Sequence, residues 1–275
     1  MASTAPEERS EQKDRANVTQ MLVLGAIVSV ILVAATLSLH WFPKQASTQA
    51  GPIDTLYDVL LIVSVPMFVL VETVVLFCVW KFRRRAGEEL KDGPPIHGNT
   101  RLEVVWTAVP ALMLLALCTY AYAVLHQIEE PQKGEMVIEV TGQQFAWSFS
   151  YPPSKPGAKA VGSDLLYLAK GRPVEFKLRA KDVIHSFWVP AFRMKSDTVP
   201  GITTSYRVTP TQTGDYAIVC AELCGLGHST MRSTVHVVEP AAFDQWIAKK
   251  AAAGGAAGGG TAPPTGSSGG SSHGG

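Results

Sequence analysis

Apolar and polar positions along the chain follow two regimes: long unbroken apolar runs up to His126, and short alternating runs after it. Residues 1–20 are polar, of mixed charge and without periodicity, which predicts a disordered tail. Residues 21–41 then form an apolar run of about 20 residues, enough to cross a bilayer as a helix. It is long for the apolar part of a signal peptide, and Glu7, Glu8, Glu11 and Asp14 stand beside Arg9, Lys13 and Arg15 in its leader. Small residues from Ala46 to Ala50 leave cleavage open, so this segment is read as an N-terminal apolar helix or a signal segment. Residues 55–126 hold two more apolar spans, Val59–Phe82 and Leu102–Leu125, and predict a two-helix transmembrane hairpin. The basic cluster Lys81, Arg83, Arg84 and Arg85 between them faces the cytoplasm under the positive-inside rule, which puts everything after His126 outside.

From Met136 the period changes to two. Runs at Met136–Thr141, Phe145–Tyr151, Asp164–Ala169, Pro173–Arg179, His185–Val189, Ser205–Thr209, Gly214–Val219 and Met231–Val238 are separated by Gly, Pro and polar turns. This spacing predicts an all-β Greek-key sandwich or barrel over residues 131–240. A short helix over 241–251 closes it, and 252–275, almost entirely Gly, Ala, Ser, Thr and Pro, reads as a flexible tail.

Composition sharpens this division. Hydrophobic residues make up 47% of the 275 and charged ones only 17%, as expected for a chain partly inside a bilayer. A net charge of +1 gives no sign of a nucleic-acid partner. Two carboxylates near the spans stand out. Glu72 lies well inside the second, where burial against a partner is expected over contact with lipid. Glu103, in NTRLEVVWT at the cytoplasmic start of the third, is a headgroup-level anchor or the mouth of a proton route, and residue type alone favours the anchor.

Of the four cysteines, Cys78 and Cys118 lie in apolar runs and read as inert packing residues, while Cys220 and Cys224 lie in the polar half. The stretch Cys220–Met231, CAELCGLGHSTM, places two thiols, the imidazole of His228 and the thioether of Met231 in one loop, and His185 in DVIHSFWVP offers a second imidazole. A disulfide would use the thiols and leave the histidine and methionine without a purpose. Zinc would accept two Cys and two His, but a thioether is an unusual zinc ligand and a common copper one. A blue-copper site uses a single Cys, so the second thiol argues against it. Two bridging sulfurs with a nitrogen and a weak ligand on either side suffice for two copper ions, and a backbone carbonyl between the thiols, that of Glu222, would complete the set.

With those residues in view, the chain resembles subunit II of the haem-copper cytochrome c oxidases over about residues 55 to 250. CAELCGLGHSTM and DVIHSFWVPAFRMKSDTVPG are the most specific parts, supported by HGNTRLEVVWTAVPALM and GQQFAWSFSYP. The resemblance implies a cupredoxin fold after the hairpin and a binuclear copper centre, CuA, held by His185, Cys220, Cys224, His228, Met231 and the Glu222 carbonyl. It also implies a magnesium ion shared with subunit I through the Glu222 side chain, and Glu103 at the entrance of a proton pathway. Electrons are expected to pass from cytochrome c near Phe145 and Trp147 to subunit I, where oxygen is reduced to water and protons are pumped. Further oxidase subunits and the lipid bilayer are the remaining implied partners. The implied location is a bacterial inner membrane with the copper domain outside. Two positions depart from the family pattern: Phe145 stands in place of a tryptophan and Ile202 in place of an arginine. The tail resembles the tether of relatives with a fused cytochrome c domain, yet there is no Cys-x-x-Cys-His, so the electron donor is expected on another polypeptide. The competing expectation is a membrane-tethered copper chaperone or sensor without redox turnover.

Overall fold

The computed structural model describes residues 4–83, 87, 95, 97–153, 157 and 159–256. Arg84 and Arg85 of the basic cluster, and the tail from residue 257 onward, lie outside these described residues. The chain divides into two compact units, residues 1–130 with 191–193, and residues 131–190 with 194–275.

The first unit holds three helices, α1 (Thr4–Ser38), α2 (Ala50–Lys81) and α3 (Thr100–Glu129), each long and apolar enough to cross a membrane. The expected disordered tail over 1–20 is corrected: α1 begins at Thr4 and runs without a break into the apolar span. Ala, Glu, Gln, Lys and Arg, which dominate this leader, are good helix formers, and extending an existing helix avoids the cost of a new nucleus. α1 packs on α2 at Gly25 and Thr73, where a Cβ at residue 25 would make an ordinary contact 3.4 Å from Thr73 Oγ1. α2 and α3 begin earlier than the expected apolar spans, at Ala50 and Thr100. Cys78 and Cys118 are exposed on α2 and α3, so they do not pack within the chain as the sequence implied.

The start of α3 is fixed by a reciprocal cap. Asn99 Oδ1 accepts the Leu102 N–H at 3.2 Å, and Glu103 Oε1 accepts the Asn99 N–H at 3.2 Å. Two N-terminal donors that the helix leaves unpaired are thus satisfied. Within the same unit Arg193 reaches Asp54 through Nε (2.7 Å) and Nη2 (2.9 Å) and also donates from Nη2 to the Pro43 carbonyl at 2.7 Å.

The second unit is a sandwich of two five-stranded sheets. One has the order β3-β2-β1-β5-β8 and the other β4-β10-β9-β6-β7. The strands are β1 (Met136–Gln143), β2 (Ala146–Tyr151), β3 (Val161–Ser163), β4 (Leu166–Ala169), β5 (Val174–Ala180), β6 (His185–Val189), β7 (Met194–Thr198), β8 (Thr204–Val208), β9 (Gly214–Cys220) and β10 (Arg232–Val238). β1 pairs parallel to β5 and β10 parallel to β4, while the remaining pairs are antiparallel. Alternation along β1 turns Ile138 and Val140 inward to meet Phe149, Phe176, Phe187 and Ile218, all buried. Phe187 sits at the centre of this core, with ring centroids 5.1 Å from Trp147 and 5.8 Å from Phe176. Burying each such side chain contributes about 1.5–3 kcal/mol.

β3 and β7 were not expected from the sequence. β3 is three residues long, and β7 (MKSDT) carries Lys195 and Asp197 at the outer edge of its sheet. Such charges are what an edge strand uses to discourage pairing with other chains, and they hide the apolar alternation. The closing helix α4 (Pro240–Ala256) extends past the expected residue 251. It docks by burying Phe243 and by stacking Trp246 on Tyr167, with centroids 4.4 Å apart.

Candidate metal centre

β6 opens on His185, whose ring is fully buried and packs against Gly142 of β1. A Cβ at residue 142 would come within 3.0 Å of His185 Cδ2 and 3.1 Å of Trp147 Cζ3, so only glycine leaves the imidazole its place. β9 ends on Cys220, paired across the sheet with Phe187 of β6, which brings the thiol to the same end of the sandwich as His185. The loop that follows returns through a 3-10 turn (His228–Thr230) to β10 and is closed by a hydrogen bond from Cys220 N–H to the Met231 carbonyl at 3.1 Å. Cys224, His228 and Met231 are thereby folded back over Cys220.

The donor atoms converge. Cys220 Sγ lies 3.9 Å from Cys224 Sγ, 4.0 Å from His185 Nδ1 and 3.3 Å from the Glu222 carbonyl oxygen. Cys224 Sγ lies 3.6 Å from His228 Nδ1 and 3.8 Å from Met231 Sδ. The ligand atoms of His185, Cys220 and Cys224 all fall within 4.8 Å of one another. Each sulfur therefore has one imidazole nitrogen beside it, with the carbonyl near one sulfur and the thioether near the other. Burial and the neighbouring Cys220 push the Cys224 thiol up to about 11, so without metal the protonated form is favoured. Two soft sulfurs, two imidazoles, a thioether and a carbonyl fit copper.

The other predicted residues take different places. Phe145 is 38% exposed, and its ring lies on the backbone of the metal loop, where a Cβ at Gly227 would fall 2.5 Å from Phe145 Cδ2. Trp147 is buried, edge-on to His185 at a centroid distance of 6.0 Å. The Glu222 side chain is exposed. Glu103, in the first unit, is the capping carboxylate of α3. Sequence reasoning missed Asp182 and Gln144. Asp182 accepts a hydrogen bond from the His185 ring, and the Gln144 amide donates to the Cys224 carbonyl. An acidic residue three positions before a candidate ligand was the available signal for the first.

Comparison with known proteins bears on this arrangement. The family described as the transmembrane domain of cytochrome c oxidase subunit II matches residues 34–124, and that of the periplasmic domain matches residues 158–238. Cytochrome c oxidase subunit 2 of Thermostichus vulcanus is 33% identical over 278 residues, covering 82% of this chain and 83% of its own. The chain belongs to the cytochrome c oxidase subunit II family. The subunit 2 of Synechocystis is 28% identical over 277 residues, with 84% of this chain and 82% of that one covered. The crystal structure of the periplasmic domain of subunit II from Bradyrhizobium japonicum is similar at 27% identity, covering 43% of this chain and 95% of that one, with a TM-score of 0.39. All six candidate donors of this subunit II chain lie inside the periplasmic-domain match, whereas Phe145 and Trp147 precede it. Membership gives a membrane-bound chain with an extracytoplasmic copper domain, part of a cytochrome c oxidase, and favours this role over a chaperone or sensor.

Proposed function

We propose that this chain admits electrons from a cytochrome c at a binuclear CuA centre and passes them to the haem groups of subunit I, where oxygen is reduced and protons are pumped. Cys220, Cys224, His185, His228, Met231 and the Glu222 carbonyl would hold the copper ions, with the two thiolates as the strong shared donors and the thioether and carbonyl as the weak ones. The observation that carries this reading is the pairing of each sulfur with its own imidazole nitrogen at 4.0 and 3.6 Å around a 3.9 Å sulfur–sulfur separation. When bound, a thiolate-bridged copper pair supplies one-electron transfer with little change in bond lengths. The protein's part is to hold the donors rigidly between β6, β9 and β10 and to exclude water, since His185 and Met231 are fully buried.

The exposed Phe145 is the residue that meets the donor, with Trp147 packed behind it against His185. Leu223 and Leu226 of the metal loop and Val183 and Ile184 before His185 are also exposed. These side chains favour a mainly apolar docking surface over a charged one. The exposed Glu222 carboxylate is available to a magnesium ion shared with subunit I, and Glu103 is the residue at the mouth of a proton pathway, its carboxylate held by the cap of α3. The setting is a bacterial inner membrane with the copper domain outside. An EPR and visible spectrum of the copper-loaded chain tests the centre: a seven-line mixed-valence signal with a purple colour is expected, and a four-line signal would show a mononuclear site.

A further inference from the structure

We propose that Asp182 is a positioning residue for the metal centre: its carboxylate fixes the tautomer and orientation of His185 and ties the turn that carries Phe145 to the same imidazole. Asp182 lies in the turn between β5 and β6, and its two oxygens serve three residues. Oδ1 faces His185 Nε2 at 2.9 Å and accepts the Val183 N–H at 2.7 Å. Oδ2 accepts the Gln144 N–H at 2.7 Å. Gln144 precedes Phe145, and its side-chain amide donates to the Cys224 carbonyl.

The chemistry follows from the hydrogen-bonding capacity of imidazole. A neutral ring has one N–H and one lone pair, and an ionised carboxylate can only accept. Nε2 must therefore carry the hydrogen, which leaves the lone pair on Nδ1, the atom 4.0 Å from Cys220 Sγ. The opposite tautomer would set a lone pair against the carboxylate and a hydrogen against the metal position. The N–H groups of Gln144 and Val183 also point at the Asp182 oxygens, which suits a carboxylate that only accepts. A carboxylate behind a ligating imidazole also makes the ring a stronger donor to the metal. In the metal-bound protein this favours the oxidised form of the centre and lowers its potential.

This inference rests on the copper reading above. The test is the purified oxidase carrying D182N, which keeps the shape of the side chain and removes its charge, beside D182E, which keeps the charge. D164N serves as a charge control, because Asp164 is exposed and touches no candidate ligand. The readouts are copper per chain under a competing chelator, the EPR hyperfine pattern and the midpoint potential of the centre. D182N is expected to lose copper about 10- to 100-fold more readily, to raise the potential and to alter the hyperfine pattern, with D182E intermediate and D164N unchanged. A D182N oxidase with the copper retention, potential and spectrum of the parent overturns this inference and leaves the copper reading intact. A shift of equal size in D164N overturns it as well, by reducing the effect to net charge. A parent oxidase without the mixed-valence signal overturns both.

Discussion

Replacing Gly227 by alanine isolates the contact between Phe145 and the metal loop. Gly227 has φ of −90°, a conformation open to any residue, so the substitution carries no backbone penalty of its own. The added Cβ would lie 2.5 Å from Phe145 Cδ2 and 2.6 Å from Cγ. Ordinary carbon–carbon contacts are about 3.5–4.0 Å, so the ring or the loop must yield by roughly 1 Å. Overpacking of this kind costs about 1–3 kcal/mol. The assay is denaturant-induced unfolding of the detergent-solubilised chain, followed by tryptophan fluorescence, for G227A, F145A and the double variant. In the F145A background the clash has no partner, and G227A should then cost less than about 0.5 kcal/mol. A G227A cost that persists unchanged without the Phe145 ring would refute the claim that this ring occupies the space above the glycine. G225A provides the contrast: Gly225 sits at φ of +130°, so its substitution should remain destabilising whichever residue stands at 145.

Serine at either Cys220 or Cys224 should abolish the mixed-valence EPR signal and stop cytochrome c oxidation, and a variant that keeps both would remove the case for two bridging sulfurs. Because the loops around the candidate centre expose Leu223, Leu226, Val183, Ile184 and Phe145, the rate of donor association should change little between low and high ionic strength, as stopped-flow reduction would measure. Arg172 grips Asp244 of α4 at 2.6 and 2.8 Å and holds its carboxyl below the usual range. The folded-state value is depressed, so the pair's contribution is present above the unfolded value near about 4 and is lost as pH falls through the folded one. Amide exchange in α4 should therefore accelerate below about pH 4 relative to the sandwich, and R172Q should remove that difference.

The sequence carried the helices and most of the sandwich because their signals are local. Long apolar runs report spans, and period-two alternation reports strands buried on one face. Where the signal is not local, reading failed. Nothing in MKSDT marks β7 as a strand, because its hydrogen bonds to β6 supply what its side chains do not. The polar leader of α1 has no apolar face to betray a helix, and its state follows from the span it continues. The candidate donors were legible as residue types with loop spacing, yet their division into two sulfur–imidazole pairs depends on where β6 delivers His185. Asp182 was missed for a related reason: as one acid among many it carries no mark until a turn folds it onto the ring three residues later. Trp147 was expected beside Phe145 where electrons enter, and the fold separates the two: Trp147 is buried while Phe145 stays exposed.

The order β4-β10-β9-β6-β7 makes the last strand among the described residues an interior one. Until residues 232–238 slot between β4 and β9, the sheet beneath the donors is split in two, although every donor has already been synthesised. A polypeptide ending just beyond Met231 would contain all the candidate donors but not the strand that joins β4 to β9. The frame that fixes the spacing of the donors is therefore complete only once β10 is in place.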